Sequence, residues 1–189
     1  MLKILLIDNN DSFTYNIVDY VRRIPATVLD VVNSEELHID LIDSYDKVII
    51  SPGPGLPDNF PLLFEVFKRY LSRKPILGIC LGHQALAQYL GGSLQQLRPV
   101  VHGQAHAVKV IKTAAIFNNL PQAFRVGLYH SWAVDPVTLP AELDVLALSE
   151  DNVIMAVKHR DYPVYGVQFH PESHITDHGF TLLRNFIVK

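Results

Sequence analysis

The chain has 189 residues, a formal net charge of −3, 19% charged residues and one cysteine. That balance gives no basic face for nucleic acid and no disorder signature, and a single cysteine excludes an internal disulfide or a cysteine-based zinc site. No apolar run approaches the ~18 residues of a membrane span, and the apolar start Met1–Ile7 is too short for a secretory leader and is followed at once by acids. The expectation is one domain over residues 1–189 in a reducing, cytoplasmic setting, with neither membrane nor nucleic acid as partner.

Leu2–Ile7 is nearly continuously apolar and ends in Asp8-Asn9-Asn10-Asp11-Ser12, which suits a strand buried on both faces of a parallel sheet. Asp11 or Ser12 can cap a helix through Ile24, whose apolar positions Ile17, Tyr20, Val21 and Ile24 form one stripe before Pro25 ends it. Thr27–Val32 is a second strand, and Glu35–Ser44 a polar connection with a helical turn. Asp46–Ile50 is a third strand running into Ser51-Pro52-Gly53-Pro54-Gly55, a rigid loop that can bring backbone N–H groups close to a ligand. Pro61–Ser72 predicts a helix burying Leu62, Leu63, Val66, Phe67 and Tyr70.

Next comes Gly78-Ile79-Cys80-Leu81-Gly82-His83-Gln84, set between the apolar segment Lys74–Leu77 and the helix-forming segment Gln84–Leu90. Gly-x-Cys-x-Gly between strand and helix is the thiol counterpart of the nucleophile elbow. The strained turn lifts the side chain off the sheet edge, and the helix start favours thiolate. A buried structural cysteine in a tight turn is the competing reading. Beyond Ser93 the segments 100–103, 107–111, 124–130, 143–148 and 153–158 read as short strands that extend or flank the sheet. Val164–His170 alternates and ends in Pro171-Glu172-Ser173, and Gly179–Val188 is a terminal helix with Phe180, Leu183, Phe186 and Ile187 inward. Strand–helix alternation in the first half argues a doubly wound α/β fold: a mostly parallel sheet flanked by helices, with additional short antiparallel strands.

A cysteine nucleophile needs a base and the base an orienting group. Of nine histidines, His170 follows a strand and should share the sheet edge with Cys80, and Glu172 offers a carboxylate two residues on. His83, three residues past Cys80, points down its helix and is the weaker base candidate. His170, His174 and His178 recur every four residues, but Pro171 argues against a helix through His170 and so against a metal site. His102 and His106 flank a glycine and read as surface loop residues.

Cys80 within Gly78–Gln84, together with Val167-Gln168-Phe169-His170-Pro171-Glu172-Ser173, resembles the class I, triad-type glutamine amidotransferases, whose domain is flavodoxin-like. Asp8–Asn16, Ser51–Gly55, His102-Gly103 and Tyr129-His130-Ser131 narrow the resemblance to the small subunits of anthranilate synthase and aminodeoxychorismate (para-aminobenzoate) synthase. It covers essentially the whole chain. It implies that Cys80 attacks the side-chain amide of L-glutamine, that His170 moves the proton and that Glu172 holds His170. It implies an oxyanion hole from the Leu81 N–H and one N–H of the Gly53-Pro54-Gly55 loop, with Gln84 and the Ser131-Trp132 backbone at the amino-acid end. It implies no cofactor and no metal, and a hetero-oligomer in which the partner is a large chorismate-binding subunit. The sequence departs from the family's pattern at two places, Trp132 where an aliphatic residue is common and His174-Ile175 where Ile-Leu is common. A self-sufficient thiol hydrolase acting on another amide, and a non-catalytic subunit that keeps the fold, are the competing readings.

Overall fold

The computed structural model describes the backbone of the chain and the side chains of residues 1–97 and 103–189. The elements in order are β1 (Leu2–Asp8), α1 (Thr14–Arg22), β2 (Thr27–Asn33), β3 (Lys47–Ile50), α2 (Pro61–Tyr70), β4 (Ile76–Ile79), α3 (Leu81–Tyr89), β5 (Leu94–Val110), β6 (Ala123–Val134), β7 (Leu143–Ser149), β8 (Ile154–His159), β9 (Val164–Val167) and α4 (Gly179–Val188). They build a nine-stranded sheet of order β2-β1-β3-β4-β9-β8-β7-β5-β6. β2 through β9 in that order pair parallel, and from β9 onward every pair is antiparallel.

The continuous apolar run of β1 is explained by cover on both faces. Ile4 and Leu6 pack with Ile17, Val18 and Val21 of α1 and with Leu182, Leu183 and Phe186 of α4. Leu5 and Ile7 pack on the other face with Leu63, Val66 and Phe67 of α2 and with Ala85 and Leu86 of α3. Each such side chain, fully removed from water, contributes roughly 1.5–3 kcal/mol. Strands β1, β3, β4 and β9 therefore run in one direction, and their carboxyl ends deliver residues 9–13, 51–56, 80 and 168–173 to one edge.

The expected doubly wound sheet is present, but its antiparallel half is larger than the short strands read from sequence. Segments 100–103 and 107–111 merge into the 17-residue β5, and β6 has 12 residues. Gly103, at φ 67°, takes up a register shift inside β5, so a glycine that reads as a turn serves as a bulge. His106 accordingly lies within β5, half-buried opposite Val126, and not in a loop. The side chain of His102 lies outside the described residues. Neither Asp11 nor Ser12 caps α1. The N-cap is Phe13, and Asp11 Oδ1 instead accepts a 2.8 Å bond from the Phe13 N–H. Tyr20 and Phe180 are only partly buried, because they pack edge to face at 5.7 Å beneath Arg23, and Leu182 fills the core position on α4.

Candidate active site

Cys80 is the N-cap of α3 and has φ 49° and ψ −94°, a region a non-glycine residue occupies only under constraint. Three features over-determine it. The Cys80 N–H bonds the Val167 carbonyl of β9 at 2.8 Å. A Cβ on Gly78 would lie 2.4 Å from the Gly82 carbonyl carbon, and one on Gly82 would lie 2.9 Å from Ile50 Cβ. Gly78 is thus required by the backbone of α3, and Gly82 by the close approach of Ile50 from β3. The first-turn N–H groups of α3, which Cys80 precedes, have no intrahelical acceptor.

His170 is 3% exposed, and its Nδ1 shares a 2.7 Å hydrogen bond with Glu172 Oε1. Burial disfavours the charged ring, but the Cys80 thiol and the Glu172 carboxylate outweigh it and hold the His170 pKa well above the ordinary histidine range. His170 Nε2 makes no bond of strict geometry among the described residues, yet Cys80 is a neighbour that acts on it. The loop carrying His170 is fastened by Thr176 Oγ1, which donates to the His170 carbonyl at 2.6 Å and accepts from the Gly127 N–H at 2.9 Å. Phe13 and Tyr129 pack edge-on against the ring, at 5.6 Å and 4.9 Å.

Two cavities meet at Cys80. The smaller, about 150 Å³, is lined by Gly53, Pro54, Gly55, Cys80, Leu81, Gln84, Tyr129, His130, Ser131 and Trp132. Every residue that the family resemblance places at glutamine lies on that lining. A Cβ on Gly53 would meet Leu81 Cδ2 at 2.7 Å, so the glycine loop is held directly against the first residue of α3. Gln84 donates through Nε2 to the Trp132 carbonyl (2.8 Å) and to Gln168 Oε1 (3.1 Å), which leaves its own carbonyl oxygen uncommitted by these bonds. The larger cavity, about 350 Å³, shares Gly53, Pro54, Cys80 and Tyr129 with it and adds Asp11, Phe13, Pro52 and His170.

A sequence profile of the family described as glutamine amidotransferase class-I matches residues 5–189. The chain belongs to that family. Among curated class I amidotransferases it is 43% identical to the aminodeoxychorismate synthase component 2 of Escherichia coli, over 97% of this chain and 98% of that one. It is 41% identical to the aminodeoxychorismate/anthranilate synthase component 2 of Bacillus subtilis, over 97% and 95%. A solved protein of Thermoplasma acidophilum, provisionally described as part of a GMP synthase, superposes with a TM-score of 0.89 at 27% identity over 99% of this chain and 92% of the other.

Within this amidotransferase the sequence reading missed Gln168. It is fully buried, its Nε2 lies 3.5 Å from Cys80 Sγ, and it ties the Cys80 thiol to Gln84. Its place two residues before His170 on an alternating segment is the signal that could have found it. His130 was also missed as a site residue. Its Nδ1 lies 2.8 Å from the Trp132 carbonyl, and burial pushes its pKa down to about 4. His83 is not a base for Cys80. It is fully buried against Gly166 of β9, and burial, with His130 nearby, pushes its pKa down to about 3. His174 and His178 are exposed and do not join His170. Among the described residues the group of three potential metal ligands is Asp11, His170 and Glu172, in which Glu172 and His170 Nδ1 already engage each other. No helix among the described residues is long and apolar enough to cross a membrane.

Proposed function

We propose that this chain hydrolyses L-glutamine to glutamate and ammonia, and delivers the ammonia to a chorismate-binding synthase subunit on another chain. The observation that carries the reading is the convergence of Cys80, the hydrogen-bonded His170–Glu172 pair and a cavity of amino-acid size lined by Gln84, Ser131 and Trp132. Glutamine enters with its amino-acid end against Gln84 and the 131–132 backbone and its carboxamide at Cys80. The Cys80 sulfur adds to the amide carbon, and the oxyanion is met by the Leu81 N–H and one N–H of the Gly53–Gly55 loop. His170, oriented by Glu172, gives its proton to the departing nitrogen, the C–N bond breaks, and ammonia leaves behind a thioester. Water, deprotonated by the same ring, cleaves the thioester to glutamate and restores the thiol.

The partner is inferred from the relatives' names. Anthranilate synthase component 2 of Methanothermobacter thermautotrophicus matches at 41% identity and aminodeoxychorismate synthase component 2 of E. coli at 43%, so the pathway rests with the partner's acceptor chemistry. We place the complex in the cytoplasm, without cofactor or metal. Ammonia release from glutamine, measured with and without the large subunit of either synthase, tests the proposal. Turnover stimulated by one of them is expected. Turnover of unrelated amides but not of glutamine would point to a self-sufficient thiol hydrolase, and no turnover with any partner to a non-catalytic subunit. Cys80→Ser should abolish glutamine-dependent synthesis while the complex still uses free ammonia, and survival of glutamine use would remove Cys80 as nucleophile.

A further inference from the structure

Glu172 is not the only carboxylate at His170. Asp11, from the β1–α1 loop, places a carboxylate oxygen so that it, a His170 ring nitrogen and a Glu172 oxygen all lie within 4.8 Å of one another. The loop is built to hold it there. Asp11 Oδ1 accepts from the Phe13 N–H at 2.8 Å, its own N–H lies 3.4 Å from Asp8 Oδ1, and Thr14 Oγ1 donates to Asp8 Oδ1 at 2.7 Å. Phe13, fixed by the same turn, stacks on both Tyr129 and His170. Asp11 lines the larger cavity and not the glutamine-side one.

We propose that Asp11 is a positioning residue for the His170 imidazolium, a second carboxylate that holds the charged ring from the side of the larger cavity. The physical basis is Coulombic and reciprocal. An opposite charge within ~4–6 Å favours the charged form of a titrating group by roughly 1–3 pKa units, and the half-buried setting of Asp11 limits solvent screening. Burial raises the Asp11 carboxyl, while the Phe13 N–H and His170 pull it back. The other groups that bear on these two are Asp8 from β1, Glu172 from the 168–173 segment, Cys80 at the elbow and His130 from β6. Of these His130 is neutral above about pH 4 and Asp8 acts on Asp11, so the carboxylates grouped with the ring itself are Asp11 and Glu172. The alternative is a purely structural residue that closes the Phe13 turn.

Asp11→Asn separates the two, because asparagine keeps an acceptor for the Phe13 N–H and removes the charge. The titration midpoint of His170 is followed by NMR on the intact, histidine-labelled chain, with the resonance assigned against His170→Gln. The expected result is a midpoint lowered by about one unit, a tenfold weaker hold on the proton, in a variant that still unfolds cooperatively. The kinetic consequence rests on the proposed glutamine hydrolysis. In the two-subunit complex kcat should fall about tenfold while KM for glutamine stays fixed, since Asp11 is outside the smaller cavity. An unmoved midpoint in a folded variant overturns the proposal. A wild-type complex inert toward glutamine would instead sink the functional reading, and the NMR midpoint would still score Asp11. If Asp11→Asn fails to fold, Asp11→Ser, which also offers the turn an acceptor, takes its place in the same titration.

Discussion

Acidification should unfold this protein from the inside of α3, and His83 sets the magnitude. Its side chain is fully buried against Gly166, and neither ring nitrogen has a hydrogen-bond partner of good geometry among the described residues. Its pKa is about 3 when folded, against 6.5 when free in the unfolded chain. Between those values the unfolded state binds a proton that the folded state refuses, so stability falls as pH falls. At ~1.4 kcal/mol per unit, lowering the pH from 7 to 4.5 costs about 2.5 kcal/mol at this residue, a large part of a typical domain's margin. His130, lowered to about 4, acts in the same direction, and the two are close enough to couple and not simply add. His170 has the opposite sign. Its raised pKa contributes stability below 6.5 that is lost only as pH rises through its higher folded value. Comparing wild type with His83→Leu cancels both neighbours to first order. Urea unfolding of each at pH 7 and 4.5 should show the wild type losing about 2.5 kcal/mol more than the variant. Parallel losses in the two proteins would mean that His83 is not held neutral, and would refute the reasoning.

Gly78→Ala should be more damaging than an added methyl suggests. The new Cβ would sit 2.4 Å from the Gly82 carbonyl carbon and 2.8 Å from the His83 nitrogen, all backbone, so α3 must move and carry Cys80 with it. Thermal unfolding should report a loss at or above the ~1–3 kcal/mol of ordinary overpacking, accompanied by loss of ammonia release. Glu172→Gln removes the charge beside His170 Nδ1, and should lower glutamine-dependent kcat by about 10²-fold or more while free-ammonia-dependent synthesis by the complex persists. Equal loss of both activities would place Glu172 in the fold and not in the chemistry.

The sequence by itself determined the parts that depend on local backbone. A proline-entered apolar segment, two glycines around one cysteine and a helix-forming tail point to an elbow, and the contact of Gly78 with the Gly82 and His83 backbone shows why a side chain does not fit there. Strands β3 and β4 were legible because burial on both faces calls for short, mainly apolar runs, and β9 because its segment alternates up to His170. What sequence could not decide were contacts between elements far apart in the chain. Gly103 reads as a turn in isolation and becomes a bulge only because β6 pairs along β5 on both sides of it. Asp11 reads as a helix cap, and only the docking of the β1–α1 loop against the 168–173 segment turns its carboxylate toward His170. Gln168, 88 residues from Cys80, meets the thiol because β9 lies beside β4 in the sheet. The elbow is a property of seven residues, whereas the electrostatic surroundings of its thiol come from strand order, which no local pattern encodes.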